Sequence, residues 1–252
     1  RRQRQMCIRD RLVSADGGLA DNAIPRQTKA VVVVEEKDTE SLAQQVAALA
    51  AELADELATK DPDVKVTAKR LADTAETITC AAPEETKRVA AFLQATPNGV
   101  QAMSADMPGL VQTSLNLGIL KADAKVLRAE YSVRSSVESE KDNLIAKLSA
   151  LVELTGGDYV VTGDYPGWKY RVHSPLREKM VKLYAEMYGN EPRVEAIHAG
   201  LECGLLGSKI SDLDCVSMGP DMKDIHTTEE TLSISSTKRV WEYLVRVLET
   251  KD

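Results

Sequence analysis

In the first part of the chain, segments whose apolar residues are spaced as in a strand alternate with segments whose apolar residues are spaced as in a helix. These segments predict strands and helices in turn. β-branched residues between turn signals predict a strand at 28–36. The next segment, 38–60, can be capped by Asp38 or Thr39 and carries an apolar residue at every third or fourth position, which predicts an amphipathic helix. This stripe consists of Leu42, Val46, Leu49, Leu53 and Leu57. Strict alternation at 64–70 (VKVTAKR) predicts a half-buried strand.

The pattern continues in the same way as far as Gly156. Pro83 and the two acids after it are typical of a first helical turn, so a helix is predicted at 83–96. Two paired strands are predicted at 110–122 and 125–135, and a helix is predicted at 139–157. Residues 12–155 are therefore predicted to form a β-α-β-α-β-β-α unit, an α+β layer of helices on a mainly antiparallel sheet.

The remaining residues, 156–252, predict a different arrangement, with the domain boundary between 155 and 165. Strands are predicted at 158–165, 192–199 and 213–219. Helices are predicted at 174–189, with Ser174 as cap and Pro175 in the first helical position, and at 235–249. Because strands and helices alternate here, this part favours an α/β domain with a parallel sheet.

The composition narrows the class of protein. The longest clean apolar run is AVVVV at 30–34, far below the roughly eighteen residues that span a bilayer, so a soluble protein without a membrane partner is predicted. The four cysteines, at 7, 80, 203 and 215, contain no C-x-x-C pair, which argues against a disulfide framework or a cysteine-type zinc site. A reducing cytosol is the expected compartment.

Residues 1–11 (RRQRQMCIRDR) stand apart from the rest by their five Arg. Part of the stretch corresponds to a translated sequencing adapter, so we predict an artefact here, with a nucleic-acid-binding tail as the alternative. Without its five Arg and one Asp, the net charge of −7 becomes −11 for residues 12–252. An acidic body disfavours a nucleic-acid partner. If the genuine sequence starts at residue 12, we expect the chain to be the tail of a longer protein.

Only three histidines offer imidazole ligands. His226 lies in an acid-rich loop after a Gly-Pro corner and is either a metal ligand or an ordinary solvated residue; one histidine cannot build a zinc site alone. His198 is most simply a histidine at the edge of the core, and His173 a loop residue. No Ser-His-Asp order or G-x-S-x-G elbow indicates a serine hydrolase.

Three further features are candidates for binding. The glycine-containing segment HAGLECGLLG (198–207) follows a predicted strand and suits a carboxylate or carbonyl group better than a nucleotide. Arg134, at the end of a predicted strand, is either a clamp for a substrate carboxylate or a solvated charge. Asn22 is a polar residue before a strand, and its simplest role is in a turn.

Seven motifs occur in the order and approximate spacing of one known family. The motifs are GGLADNAIPR, ATPNGV, TSLNLG, SVRSSVES, YPGW, HAGLECG and VSMGP followed by HTTEE. Together they resemble the aminoacyl-histidine dipeptidases, the cytosolic nonspecific dipeptidases of the two-zinc metallopeptidase clan that includes carnosinase. The resemblance extends over nearly all of residues 12–252.

The resemblance implies a fold and a set of site residues. It implies that residues 12–155 are part of an inserted α+β, ferredoxin-like lid that forms a homodimer, and that residues 156–252 are the C-terminal part of an α/β zinc-peptidase catalytic domain. By the same resemblance His226 is a zinc ligand, Arg134 holds the C-terminal carboxylate of a dipeptide, and Asn22 lies near the substrate. Glu202 and the backbone at Cys203 and Gly204 are expected to seat the peptide.

The departures from the family pattern are equally informative. The H-x-D motif, the bridging aspartate, the adjacent glutamates and the lid histidine of the family have no counterpart here, so no catalytic residue is assigned and the chain alone is expected to be inactive. In the family, two zinc ions (cobalt or manganese as alternatives) activate a water that attacks the peptide carbonyl. The alternatives are another exopeptidase or amino-acid deacylase of the clan, and a non-enzymatic dimerisation module.

Overall fold

The computed structural model describes residues 10–72, 77–196, 202–225 and 227–251. They fall into two compact units that share the chain in alternating segments. The first unit comprises Arg1–Gly99, Leu115–Ser132 and Lys147–Tyr159, within its described residues. The second comprises Val100–Ser114, Val133–Ala146 and Val160–Asp252.

A five-stranded sheet contains most of the β-structure. Its strands are β1 (Arg11–Gly17), β2 (Thr28–Val33), β3 (Gly99–Met103), β4 (Val111–Ala122) and β5 (Leu127–Ser135). The order is β2-β1-β4-β3, and β5 also pairs with β4. β1 is antiparallel to both β2 and β4, which confirms the mainly antiparallel arrangement predicted for this part of the chain.

Three helices accompany the sheet where the periodicity predicts them. They are α1 (Thr39–Glu56), α2 (Pro83–Ala95) and α3 (Glu138–Leu154), and a short 3-10 turn, Glu36–Asp38, precedes α1. Pro83 occupies the first turn of α2 together with two acids, and Gly156 adopts a positive φ of 73° just after α3. These are the local signals from which the helix limits were predicted.

The strands were predicted less well than the helices. The alternating segment 64–70 forms no strand, and β1 and β3 were not predicted. Alternation shows only that a segment would be amphipathic if extended, whereas a strand also needs a partner for its backbone groups. β1 contains few apolar residues but pairs with a strand on each side.

A small core joins β1 to α2 in the first unit. Leu12, Ala15 and Ala81 are buried together. The amide of Leu12 donates to Thr86 Oγ1 at 2.9 Å, and the amide of Ala81 donates to the Leu12 carbonyl oxygen at 2.7 Å. The start of α2 is thereby fastened to one strand by hydrogen bonds as well as by apolar contact.

The second unit is organised around two packed helices. Besides parts of β3, β4, β5 and α3, it contains α4 (Pro175–Tyr188), α5 (Glu202–Lys209), the short strands β6 (Met222–Lys223) and β7 (Thr231–Leu232), and α6 (Ile234–Glu249). α4 and α6 bury Met180, Leu183, Tyr243 and Val247 between them. The Tyr243 hydroxyl donates to the Met180 carbonyl oxygen at 2.6 Å. This bond satisfies the polar end of a buried ring.

The N-cap predicted for α4 at Ser174 is confirmed, but the strands predicted before and after this helix are wrong. Ser174 Oγ accepts from the Arg177 amide, and Gly189 ends the helix at a φ of 75°. Residues 158–165, 192–196 and 213–219 form no strand, and the rest of the segment 192–199 lies outside the described residues. Among the described residues the only pairing in this part is the antiparallel β6–β7 hairpin, so no parallel sheet is present there.

Both helices and sheet are therefore present, in a mixed α/β and α+β fold. Within the described residues, no helix combines the length and the apolar character needed to cross a bilayer.

Candidate functional site

Arg134 lies near the end of β5, half-buried, and the residue after it is firmly held. The Ser135 hydroxyl lies 2.8 Å from Thr113 Oγ1 on β4. It also accepts from the Val137 amide at 3.0 Å and lies 2.9 Å from the Val137 carbonyl oxygen. The strand end that presents Arg134 is thus fixed to the neighbouring strand and to the turn that leads into α3.

Glu140 attaches the first turn of α3 to β4. Its carboxylate accepts hydrogen bonds from Thr113 Oγ1 and from Gln112 Nε2, the latter at 2.8 Å. These donors, Thr113 first, hold the pKa of Glu140 below its ordinary value despite the opposing effect of burial. The carboxylate therefore stays charged and acts as a fixed acceptor.

Lys141, one residue further along α3, forms a buried ionic clamp. Its Nζ lies 2.6 Å from Asp164 Oδ1 and 2.7 Å from Glu138 Oε1, and it donates to the Tyr165 carbonyl oxygen at 3.0 Å. The Lys141 side chain is 7% exposed, whereas those of Glu138 and Asp164 are 52% and 60% exposed. Burial by itself lowers the pKa of Lys141, but the bonds to both carboxylates outweigh it and the pKa is raised. The ammonium therefore remains charged where it holds the 164–165 backbone.

Gly167, in the YPGW motif, lies directly on the end of β5. A Cβ at this position would lie 2.5 Å from the Ser135 carbonyl oxygen and 3.0 Å from Ser136 Cα. The Gly167 amide points to Glu138 Oε2 at 3.4 Å. The position therefore requires glycine because two backbone segments approach each other without room for a side chain.

Gly204, in α5, lies against Pro166, the residue before Gly167. A Cβ at this position would lie 2.7 Å from the Pro166 carbonyl oxygen. The first turn of α5 contains Glu202, which is exposed, and Cys203, which is half-buried. The Pro166–Gly167 backbone therefore links the strand end next to Arg134 with the turn that carries these candidate residues.

Cys203 also contacts the loop after α5. Its thiol lies close enough to that of Cys215 to affect it electrostatically. Burial, assisted by Cys203, raises the pKa of the Cys215 thiol. Cys215 is thus kept in its neutral form beside α5.

Asn22 belongs to the first unit, where it is exposed in the turn between β1 and β2. Asn116 Nδ2 on β4 donates to the carbonyl oxygens of Asp21 and Ala23, at 3.0 and 2.9 Å. Gly118 allows the turn to lie on the strand, because a Cβ there would be 2.2 Å from the Asp21 carbonyl oxygen. A turn role for Asn22 agrees with its simplest interpretation, and the backbone on both sides of it is anchored.

The structure describes one of the three histidines. His226 and His198 lie outside the described residues, and His173 is exposed in the loop before α4. Among residues 10–72, 77–196, 202–225 and 227–251, no three His, Cys, Asp or Glu side chains are grouped to hold a metal ion. The described residues do not fit a complete metal centre, so we assign no reaction step to a metal held by them.

Sequence reasoning missed the residues that hold the candidate site in place. Gly167 lies within the YPGW motif and Asn116 within TSLNLG, but nothing in the sequence shows what they contact. Lys141 had a weak signal, a lysine in the first turn of a predicted helix and three positions after Glu138. That spacing usually marks an exposed ion pair, and only the tertiary structure buries it.

Comparison with known proteins identifies the relatives of this chain. No protein-family model matches it. The cytosol non-specific dipeptidase of Escherichia coli (strain K12) is 31% identical over 238 residues, which is 94% of this chain and 48% of the relative. The crystal structure of the aminoacylhistidine dipeptidase from Vibrio alginolyticus matches with a TM-score of 0.86 at 32% identity, over 95% of this chain and 48% of that chain.

This chain thus spans about half the length of both relatives. Sequence and fold point to the same proteins that the seven motifs resemble. The chain is a homologue of about half of an aminoacyl-histidine dipeptidase.

Proposed function

We propose that the chain is the C-terminal half of a metal-dependent dipeptidase that hydrolyses Xaa-His and other dipeptides. The similarity to two dipeptidases over 94–95% of the chain supports the reaction class. The contact of Gly167 with Ser135, and of Gly204 with Pro166, is the structural observation that carries the proposal. Those contacts place a guanidinium-bearing strand end and the first turn of α5 on one backbone corner.

This arrangement suits recognition of a short peptide. In our proposal Arg134 binds the C-terminal carboxylate of the dipeptide through paired hydrogen bonds. Glu202 and the backbone at Cys203 and Gly204 seat the rest of the substrate. A fixed cation at one end selects for length, because a longer peptide would either collide with the site or leave the cation unpaired. Asn22 is proposed as a further substrate contact on the strength of its motif alone.

The metal part of the proposal rests on His226. We propose it as one ligand of a zinc ion, with cobalt or manganese as alternatives. One imidazole gives little affinity, and catalytic zinc sites use three protein ligands. The other ligands and the catalytic base are proposed to lie in the half of the enzyme that this chain does not match, so the chain alone is expected to be inactive.

The remaining assignments follow from the same relationship. Residues 12–155 are proposed to form the lid and residues 156–252 the C-terminal part of the catalytic domain, with residues 1–11 as an adapter artefact. A homodimer formed through the lid and a cytoplasmic location are proposed for the intact enzyme. The name of the E. coli relative, a cytosol dipeptidase, supports the location.

The first test is hydrolysis of L-alanyl-L-histidine with added zinc, cobalt or manganese. The intact enzyme, encoded by the open reading frame that includes the DNA upstream of codon 12, should hydrolyse it. The purified chain should not. Turnover by the chain alone would contradict the proposed division of the metal site. Hydrolysis of acylated amino acids in preference to dipeptides would favour the deacylase alternative.

The second test addresses Arg134. In the intact enzyme, Arg134→Met should raise KM for the dipeptide by about 10- to 100-fold, the loss expected for a charge-assisted pair of hydrogen bonds. Arg128→Met is the matched control, because Arg128 lies on the same strand, 71% exposed and paired with Glu130. An amidated dipeptide, which lacks the carboxylate, should bind wild type and Arg134→Met equally. An unchanged KM for the free dipeptide in Arg134→Met would refute this role.

A further inference from the structure

The corner formed by residues 164–167 is held by α3, by the end of β5 and by α5. Lys141 Nζ binds Asp164 Oδ1 at 2.6 Å and the Tyr165 carbonyl oxygen at 3.0 Å, so both the side chain and the backbone of the corner are tied to α3. Glu138 completes the clamp by pairing with Lys141 at 2.7 Å. The last residue of the corner, Gly167, lies against the Ser135 carbonyl oxygen.

The contacts of the corner lead directly to proposed binding groups. One side of it lies against Ser135, the residue after Arg134. The other side, at Pro166, lies against Gly204. Since neither contact has room for a Cβ, a shift of the corner towards either contact would push the strand end or the first turn of α5. The distance between the two proposed binding groups therefore depends on where the corner is held.

We propose that Lys141 is a positioning residue of the dipeptide site, which holds the Asp164–Gly167 corner and thereby sets the spacing between Arg134 and the first turn of α5. This inference rests on the proposed function and deepens it. Lys141 does not touch the substrate. It acts through the corner, and the expected consequence of its loss is weaker selection for dipeptides over tripeptides.

Lys141 can be substituted without preventing folding, because the two carboxylates that it binds are exposed to water. Glu138 and Asp164 are more than half exposed, so water can solvate both carboxylates when the ammonium is removed. Methionine at position 141 keeps the buried aliphatic part of the side chain. Lys141→Met should therefore fold while releasing the corner. Asp164→Asn is a milder second variant, which weakens one ionic contact at a largely exposed side chain.

The experiment uses the intact enzyme and compares four variants with wild type. They are Lys141→Met, Lys141→Arg, Asp164→Asn and the control Lys238→Met, which removes an exposed lysine paired with Glu242 at 3.8 Å. The measurements are kcat and KM for L-alanyl-L-histidine and L-alanyl-L-alanyl-L-histidine, together with Tm. A displacement of about 1 Å in a positioned group can cost on the order of 100-fold. Lys141→Met should accordingly raise KM for the dipeptide by about 10-fold or more and reduce the preference for the dipeptide over the tripeptide.

The other variants make the outcome decisive. Asp164→Asn should shift KM in the same direction by a smaller factor, Lys141→Arg should restore part of the preference, and Lys238→Met should match wild type. A lower Tm with unchanged KM and unchanged length preference in both Lys141→Met and Asp164→Asn would overturn the positioning role while leaving the dipeptidase assignment intact. Failure of the wild-type enzyme to hydrolyse any dipeptide would instead overturn the proposed function, and this inference with it.

Discussion

Gly204 lies so close to Pro166 that a Cβ on residue 204 would be 2.7 Å from the Pro166 carbonyl oxygen. Residue 204 is helical and buried, and a helix interior ordinarily prefers alanine to glycine by about 0.5–1 kcal/mol. Here the contact with a backbone atom outweighs that preference. The packing of α5, and not its helical propensity, determines the residue at this position.

The pair Gly204→Ala and Gly207→Ala tests this balance within one helix. Gly204→Ala should lower the free energy of unfolding of the chain by about 1–3 kcal/mol, the usual cost of overpacking. Gly207→Ala should raise it by roughly 0.5–1 kcal/mol, because a Cβ there meets nothing within 4 Å. Urea denaturation measures both. Equal effects of the two substitutions would show that α5 does not pack against Pro166.

Thr86 should contribute to the stability of the first unit through its hydroxyl group. Thr86→Val keeps the shape of the side chain but leaves the Leu12 amide without its acceptor in a buried position. An unsatisfied buried donor costs about 1–3 kcal/mol, and the free energy of unfolding should fall by that amount. Thr155→Val serves as the control, because the Thr155 hydroxyl bonds only to the nearby carbonyl oxygens of Leu151 and Val152 at the end of α3. A smaller loss for Thr86→Val than for the control would contradict this role.

Asp214 should make the second unit sensitive to acid. Burial alone would raise the pKa of Asp214, but the Ser174 hydroxyl, the Leu176 amide and the charges of Arg171 and Arg177 lower it below the ordinary value of 3.8. A carboxylate whose pKa is depressed by folding stabilises the native state above its unfolded pKa. This stabilisation is lost as the pH falls below 3.8 towards the lower folded value.

The substitution Asp214→Asn tests this linkage. It should reduce the free energy of unfolding at pH 7, and the difference from wild type should shrink as the pH is lowered below about 3.8. Denaturant titrations at several pH values between 2 and 7 measure the effect. A difference that stayed constant over this range would show that Asp214 stabilises the unit without being charged.

Asn116 should keep the turn around Asn22 ordered. Asn116→Ala removes two hydrogen bonds from the carbonyl oxygens of Asp21 and Ala23. The site is exposed, so the loss of global stability should be small, about 1 kcal/mol or less. Hydrogen exchange of the amides at 20–23 should nevertheless become faster. Asn190→Ala, which removes a bond only to the adjacent Glu191 carbonyl oxygen, should leave exchange at 20–23 unchanged.

The sequence by itself determined five of the helices and their approximate limits, but it did not predict α5. The apolar stripe at 42–57, the proline and acids at 83–85, and the cap at Ser174 are local signals, and α1, α2 and α4 appear where they lie. Helices are predictable in this way because each one satisfies its own backbone hydrogen bonds. The seven motifs also pointed to the dipeptidases to which this chain is similar, since the order of residues along the chain carries that information directly.

Only the tertiary structure decided which strands form and how the candidate site is held. The segments 64–70 and 213–219 have the pattern of strands but no partner strand, whereas β1 pairs on both sides despite its weak pattern. In the same way, Lys141 is unremarkable in sequence and acquires its role from Asp164, 23 residues away. Strand pairing, buried ion pairs and the absence of room at Gly167 and Gly204 all depend on contacts between residues distant in the chain, and periodicity along the chain does not encode which residues meet.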